Sequence, residues 1–322
     1  MQKNLTLKFL FAAIAMSGAA AHAGTVDIYG NVDAGIAQLK DTDGTKYTII
    51  GSGFKDPSFI GFKGSEDLGN GLKANFVLES GFDLSTGAQE RDGTTFSRNA
   101  YVGLSGKFGS LKIGQISSFS RDLFKQFDAF GGELWGASAG WGQFNTHGRF
   151  QSNSIAYTNE VGPLSYGVSH QVSGVADGGL TDGSVTSFSG GYHQGAIALG
   201  MVYTQDKRTL ISTAKTTQIG ASIDTRVGKA YAMYENGKDT IYADDAKDAF
   251  SIGFKAPVSP AAALLVSIGD KEDADGTKHS LFAIGGEYNL SKRTSLYTSF
   301  TKDDVKASSD MQAFAAGLTH KF

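Results

Sequence analysis

The residues of this sequence that could do chemistry are charged side chains on alternate positions of short segments. Between Val26 and Ala34, for example, Asp27, Asn31 and Asp33 occupy one set of alternate positions and mostly apolar residues occupy the other. Because successive side chains of a β-strand point to opposite faces, this pattern predicts a strand with one apolar and one polar face. Such a polar face either meets bulk solvent, where each charge is merely hydrated, or lines an aqueous passage, where facing charges select ions.

Two groups of charges are candidates for such a lining. One group lies on the polar faces of predicted strands: Asp27, Asp33, Lys63, Lys73, Glu79, Arg98 and Lys112. The other lies in one long connecting segment, residues 115–150: Arg121, Asp122, Lys125, Asp128, Glu133 and Arg149. Lys63, Lys73 and Lys112 come close to short turns, where a wide vestibule is as good an interpretation as a constriction.

Signals for catalysis and metal binding are weak. The sequence has no Cys, no His-Glu-x-x-His and no phosphate-binding P-loop. Asp273-Ala-Asp275-Gly276 is spaced like a calcium-binding loop, but Lys271 and Phe282 occupy ligand positions of that loop. We therefore expect no enzymatic activity, no cofactor and no metal. The mildly acidic formal charge of −3 argues against nucleic acid as a partner.

The elements that must position these charges are short strands separated by turns. Gly accounts for 43 of the 322 residues and Pro for only four, which is typical of many strands with frequent turns. Short turns, such as those near Gly69, Lys107 and Gly162, alternate with longer polar connections, of which residues 115–150 form the longest. This asymmetry is typical of a transmembrane β-barrel, and the segments predict an all-β antiparallel barrel of about 16 strands.

A soluble β-sandwich or propeller is the competing fold, because it would show the same alternation. Neither of these folds needs long connections at one end and short ones at the other, or an aromatic last residue such as Phe322. The longest wholly apolar run after residue 23 is Ala261–Val266, which is too short for a membrane-spanning helix. A chain of this kind can cross a membrane only as a closed barrel, because the barrel pairs all of its backbone polar groups.

Residues 1–23 are predicted to be a cleaved signal peptide. Lys3 and Lys8 introduce a short apolar stretch, and Ala21-His22-Ala23 follows it as a cleavage site. The alternative, a membrane anchor, would need roughly 20 apolar residues in a row. The mature chain is then one barrel domain, residues 24–322.

Several segments resemble the general porins of Gram-negative bacteria, especially the trimeric porins of β-proteobacteria. They are the opening strand 26–30, the hairpin 61–74, the strand 98–104, Phe130-Gly131-Gly132 of the long segment, and the closing segments 288–294 and 317–322. The resemblance covers residues 24–322. It implies a homotrimer in the outer membrane, a water-filled channel for passive diffusion of ions and small hydrophilic solutes, and a long third loop folded into the pore.

The resemblance also implies partners and site residues. The partners are outer-membrane lipid and lipopolysaccharide, and the barrel-assembly machinery, which would recognise Phe322 as its signal. At the constriction, basic wall residues would face acidic loop residues; these are Arg98 and Arg149 against Asp122, Asp128 and Glu133, with Lys63, Lys73, Lys112 and Asp33 lining the pore elsewhere. Phe59 and Gln115 stand where the family often has arginine, and Ala129 where it often has an acid. We therefore expect only a weak preference for anions.

A substrate-specific channel is the second functional hypothesis. The long segment contains five large aromatic residues: Phe124, Phe127, Phe130, Trp135 and Trp141. They could form an aromatic slide for a substrate, or they could pin the loop against the barrel wall. The second interpretation fits general diffusion. A barrel enzyme is the third and weakest hypothesis.

Overall fold

The computed structural model describes residues 25–132, 144, 147–172, 183–207, 213–239, 246–306 and 310–322. The predicted signal peptide lies outside the described residues, as do Glu133, Trp135 and Trp141. Within the described part of the chain, no helix has the length and apolar character needed to cross a membrane.

The described chain is built almost entirely of β-strands. The strand segments are β1 (Thr25–Lys40), β2 (Lys46–Ser52), β3 (Phe59–Gly69), β4 (Leu72–Gly81), β5 (Ala100–Gly106), β6 (Gly109–Ser117), β7 (Phe150–Val161), β8 (Leu164–Gln171), β9 (Val185–Gln194), β10 (Ile197–Asp206), β11 (Ala214–Thr225), β12 (Gly228–Lys238), β13 (Ala246–Pro257), β14 (Ala262–Asp273), β15 (Lys278–Asn289), β16 (Thr294–Val305) and β17 (Met311–Lys321). A single helix is assigned in the described residues, α1 (Phe119–Phe127), between β6 and β7.

The strands form one closed antiparallel barrel. Apart from β2 and β3, consecutive strands pair with each other, and β17 pairs with β1 from Asn31↔Lys321 to Lys40↔Gln312. β1 pairs with β2 through its second half and with β3 through its first half, so β2 and β3 are two parts of one interrupted strand. The 17 segments therefore make 16 strands, and the predicted fold and strand number are confirmed.

The two ends of the barrel differ in their connections. At one end the strands are joined by two to four residues; the turn between β3 and β4 has Asn70 and Gly71 at φ values of 53° and 78°. These left-handed conformations suit the twist of a tight hairpin, and Asn and Gly adopt them most readily. At the other end, the connections include residues 82–99 and 118–149, although residues 274–277 make one connection there as short as a turn.

The two faces of each strand are chemically different. In β10, Ile197, Leu199 and Met201 are exposed on the outside, and they alternate with Ala198 and Val202, which are buried on the inside. Exposed apolar side chains on the outer face form the band that contacts lipid hydrocarbon in a membrane barrel. The period of two read from the sequence is therefore the division between lipid and lumen.

Replacing Leu199 with arginine is expected to destabilise the barrel. Leu199 is 47% exposed on the outer face, and an arginine facing lipid costs roughly 2–4 kcal/mol at the bilayer midplane and less toward the interfaces. The matched change is Asn75→Arg, because Asn75 is on the inner face of β4, where its amide donates to Ser105 Oγ at 3.3 Å. Denaturant unfolding in lipid bilayers measures both variants. An equal loss of unfolding free energy would contradict this assignment of the faces.

Candidate functional site: the pore constriction

The connection between β6 and β7, residues 118–149, is the third connection at the long-loop end of the barrel and is called loop 3 here. It begins with α1, whose start is set by Ser118, because the Ser118 hydroxyl accepts a hydrogen bond from the Arg121 N–H at 3.2 Å. Such a cap satisfies one of the backbone donors that the first helical turn leaves unpaired. Asp122 lies in that first turn, where a negative charge is favourable against the helix dipole.

One face of α1 is apolar and packs against the inside of the barrel. Leu123, Phe124 and Phe127 are buried in a cluster with inner-wall residues of β10, β12 and β13, such as Val202 and Met233. Phe127 is 1% exposed. The described part of loop 3 therefore lies inside the barrel, as predicted, and its described aromatic residues are anchors rather than a slide.

The turn after α1 is held by Asp128. Its Oδ2 accepts hydrogen bonds from the N–H groups of Phe130 and Gly132, at 3.1 and 2.9 Å. Asp128 is buried, and the turn that it holds carries Phe130 into a second apolar cluster with Leu265 and Tyr297. The Asp128 carboxylate therefore holds the backbone of this turn, and its expected place among the acidic groups of the constriction stays a prediction.

The opposite face of α1 is polar and borders open space. A cavity of about 510 Å³ lies between this face and the wall formed by β5, β6 and β7. The charged residues lining it, within the described residues, are Lys112, Arg121, Asp122 and Lys125. Lys112 Nζ lies over the ring of Tyr101, 5.0 Å from the ring centre.

Asp122 belongs to the same lining. Its Oδ1 accepts a hydrogen bond from the Ser117 hydroxyl at 2.6 Å, which holds the carboxylate close to the end of β6. A second cavity of about 700 Å³, lined by Asp122 and Gln126 as well as by residues of β7–β10, adjoins the first. The passage therefore runs along the polar face of α1.

Arg98 lies just before β5 and is largely enclosed. Its guanidinium carbon is 5.2 Å from the ring centre of Phe59 and 5.1 Å from that of Phe150, and its Nη1 is 3.1 Å from Glu90 Oε1. The Gln115 amide donates hydrogen bonds to the carbonyl oxygens of Arg98 and Phe96. Phe59 therefore contacts the Arg98 side chain, and Gln115 holds the Arg98 backbone.

Arg149 meets the same glutamate. Its Nη1 is 3.7 Å from Glu90 Oε1, and its side chain is 46% exposed. Arg121 joins this group through Phe150, because its guanidinium carbon is 4.9 Å from the ring centre. The structure therefore brings Arg98, Arg121 and Arg149 together around one aromatic ring and one acid.

Glu90 is the residue of this group that the sequence analysis missed. It lies in the connection 82–99, outside the alternating strands, so no periodicity marks it. The described ion pairs of Arg98 and Arg149 are made with Glu90. Their expected opposition to Asp122 and Glu133 stays a prediction, since Glu133 lies outside the described residues.

The remaining candidates differ in their access to the lumen. Lys63 Nζ lies 4.8 Å from the ring centre of Tyr29, a residue that binds Glu79 through its hydroxyl at 2.7 Å. Lys73 is exposed at the start of β4, close to the turn. Asp33 faces inward but is 0% exposed, and its Oδ1 accepts a hydrogen bond from the Tyr297 hydroxyl at 2.9 Å. The expectation that Asp33 lines the pore is therefore wrong, because packing covers it completely.

A second inward element covers Asp33. Residues 53–58, called the inward segment here, interrupt the strand between β2 and β3. Phe54 is buried in the apolar cluster that also contains Phe130. Lys55 Nζ reaches Glu287 Oε1 on β15 at 3.0 Å. The alternation of residues in the sequence does not predict that this segment turns into the barrel.

Comparison with known proteins agrees with this architecture. The family model described as Gram-negative porin matches residues 10–308. The chain belongs to the Gram-negative porins. An outer membrane porin protein of Bordetella pertussis is 28% identical, and the alignment covers 100% of both chains.

Two solved structures share the fold of this porin. The structure described as the anion-selective porin from Comamonas acidovorans has a TM-score of 0.79 and 24% identity, covering 93% of this chain and 100% of that one. The trimer form of OmpT from Vibrio cholerae has a TM-score of 0.69 and 16% identity, covering 93% and 100%. The porin is an outer-membrane channel for passive diffusion of ions and small hydrophilic solutes.

Proposed function

We propose that this porin is a general diffusion channel, without enzymatic activity, whose constriction weakly favours anions. The observation that carries the proposal is the lining beside α1, where Lys112, Arg121 and Lys125 outnumber Asp122 among the described charged residues. The adjoining group also has a net positive charge, because two arginines, Arg98 and Arg149, share the single acid Glu90. The fold shared with a porin described as anion-selective supports the same direction.

The physical reason is the low dielectric of the wall around the passage. At an effective dielectric constant of 20, two unit charges about 4 Å apart interact by roughly 4 kcal/mol. A passing ion stays within a few ångströms of the lining, so an excess of positive charge favours anions. Each acid in the lining reduces that excess, and the preference is therefore weak.

The zero-current potential of the wild-type porin in planar bilayers tests this proposal. With a potassium chloride gradient at low ionic strength, we expect a potential of the sign that chloride permeation produces. The potential should shrink as the salt concentration rises, because the Debye length falls from about 10 Å at 0.1 M to about 3 Å at 1 M. A cation-selective potential at low salt would overturn the proposed preference but not the channel itself.

We also propose that the porin assembles as a homotrimer in contact with outer-membrane lipid and lipopolysaccharide. The support is the family resemblance and the fold shared with a trimeric structure. Residues 1–23 are proposed to be removed on export. Sequencing of the outer-membrane form should begin at Gly24, and a start more than a few residues away would contradict the cleavage site.

Deleting Phe322 is expected to reduce the amount of assembled barrel. The N–H and carbonyl groups of Phe322 and Gly30 exchange two hydrogen bonds of 3.1 Å, and the ring packs so close to Gly30 that a Cβ there would meet Phe322 Cζ at 2.6 Å. We propose that the assembly machinery recognises this residue. The yield of heat-modifiable trimer in outer membranes measures the effect.

The matched control for this deletion is Phe314→Ala. Phe314 lies on the same outer face of β17 and is 50% exposed, but it does not take part in the closing pair with Gly30. This variant should assemble with nearly the wild-type yield. Unchanged trimer in the Phe322 deletion would remove the proposed role.

A further inference from the structure

Both inward elements carry a phenylalanine that lies over two facing glycines. On β10 and β11, Gly200 and Gly220 are direct partners across the strands. A Cβ added to Gly200 would lie 2.6 Å from Phe127 Cε2, and one added to Gly220 would also collide with the Phe127 ring. Only glycine leaves room for this ring against the wall.

The inward segment uses the same arrangement on the other side of the barrel. Gly35 on β1 and Gly51 on β2 are direct partners. A Cβ added to Gly35 would lie 2.9 Å from Phe54 Cδ2, and one added to Gly51 would lie 2.7 Å from Phe54 Cζ. We call each glycine pair with its phenylalanine a socket.

The inward segment is longer than the strand requires. On β1, Ala34 pairs with Ser52 of β2, and Asn31 pairs with Phe59 of β3. The six residues 53–58 therefore stand opposite only two residues of β1, and the excess chain turns into the barrel. A continuous strand would need only two residues at this place.

Asp33 fixes the position of this excess chain. Its carbonyl oxygen accepts hydrogen bonds from the Gly53 N–H at 3.1 Å and from the Ser58 hydroxyl at 3.2 Å. Its own N–H donates to Ser58 Oγ at 2.9 Å. Both ends of the inward segment are therefore tied to one buried residue of β1.

The two inward elements meet on the inner wall. Phe54 of the inward segment and Ala129 and Phe130 of loop 3 belong to one buried cluster. From its socket the inward segment extends to β15, where Lys55 pairs with Glu287. Lys255 binds the same carboxylate, with its Nζ at 2.7 Å. Together with loop 3, it covers wall that a plain barrel would leave open to the lumen.

We propose that the inward segment is a second pore-narrowing element, so that two sockets, rather than loop 3 alone, determine the width of the channel. Phe54, Gly35 and Gly51 are positioning residues in this scheme. Such narrowing acts on every solute, because it reduces the open cross-section of the channel, whereas ion preference depends on charge. A role in barrel stability alone would leave the width of the assembled channel unchanged when the segment is removed.

The decisive experiment replaces residues 53–58 with two threonines, which makes the interrupted strand continuous. We expect single-channel conductance above the wild-type value in planar bilayers. Recording at 1 M salt, where the Debye length is only about 3 Å, separates width from charge. At that salt Lys55→Gln, which keeps the segment, should conduct like the wild type. Wild-type conductance in the assembled replacement variant would overturn the proposal.

A pair of substitutions tests the socket without removing chain. Gly51→Val should push the Phe54 ring away from the wall and lower the conductance, and adding Phe54→Ala should return the conductance toward the wild-type value. Gly286→Val is the control, because the nearest atom to its added Cβ is 3.8 Å away. If the double variant conducts no better than Gly51→Val, the socket does not position the segment and the proposal fails.

Discussion

Arg149→Glu is expected to turn the weak anion preference of this porin into a preference for cations at low salt. Arg149 is the most exposed arginine of the group around Phe150, and its Nη1 lies 3.7 Å from Glu90 Oε1. The change removes one positive charge, adds one negative charge and leaves Glu90 beside a second acid. Charges this close act on a passing ion with energies of roughly a few kcal/mol at an effective dielectric constant of 20. The zero-current potential in planar bilayers measures the change.

Two variants separate this effect from general effects of charge. Arg149→Lys keeps the charge and should keep the wild-type sign. Lys215→Glu makes the same change of charge on the outer face of β11, where Lys215 alternates with the buried residues Ala214 and Thr216. It should move the potential far less. An equal shift from Lys215→Glu would mean that selectivity does not arise at the constriction.

Arg98→Ala should move the potential in the same direction, because it removes the closest partner of Glu90. The Arg98 side chain is 6% exposed and packs between the rings of Phe59 and Phe150. The Arg98→Ala variant should therefore also lose stability. Measurement of the potential and of thermal unfolding on the same preparation separates the two consequences. An unmoved potential at low salt would remove Arg98 from the group that controls selectivity.

Replacing residues 120–147 of loop 3 with an Asn-Gly turn is expected to raise single-channel conductance several-fold. The barrel should close without the loop, because Ser117 and Phe150 are direct partners and the Ser118 N–H donates to the Arg149 carbonyl at 3.2 Å. Asn-Gly is a favoured two-residue connection between antiparallel strands. Recording in planar bilayers measures the conductance.

Assembly must be established separately for this variant. Removing α1 exposes the inner-wall residues that it covers, Ala198, Val202 and Met233 among them, and this exposure costs stability. Heat-modifiable trimer shows whether the barrel still forms. If the assembled variant conducts like the wild type, loop 3 does not limit the current.

The barrel could be predicted because the patterns that specify its strands and turns involve residues close together in the sequence. The alternation of exposed and buried residues along β10 assigns the two faces of the strand, and Asn70-Gly71 after β3 marks a chain reversal. Both patterns involve only residues that are neighbours in the sequence. The inward position of loop 3 was implied by the family resemblance, and the burial of Phe124 and Phe127 against the inner wall agrees with it.

The details of the site depend on contacts that only the closed barrel creates. Asp33 has the same alternating pattern as Asp27, but Tyr297, 264 residues away along the chain, covers and binds it. Lys55 likewise meets Ser295 on the far side of the closing strands. A local pattern assigns such residues to a face, but it does not say which other segments will pack over that face.

The ladder between β1 and β17 has a consequence for how quickly the chain can fold. It pairs Asn31 with Lys321, so the closing contacts join residues from opposite ends of the sequence. Contacts between residues so distant form slowly, because a long loop must close before they contribute. They also cannot form until β17 has been synthesised. Until then both edge strands have unpaired backbone groups, which readily pair with other chains. The time between synthesis and closure is therefore the period of greatest aggregation risk, and any factor that shields either edge during that time should raise the yield of folded protein.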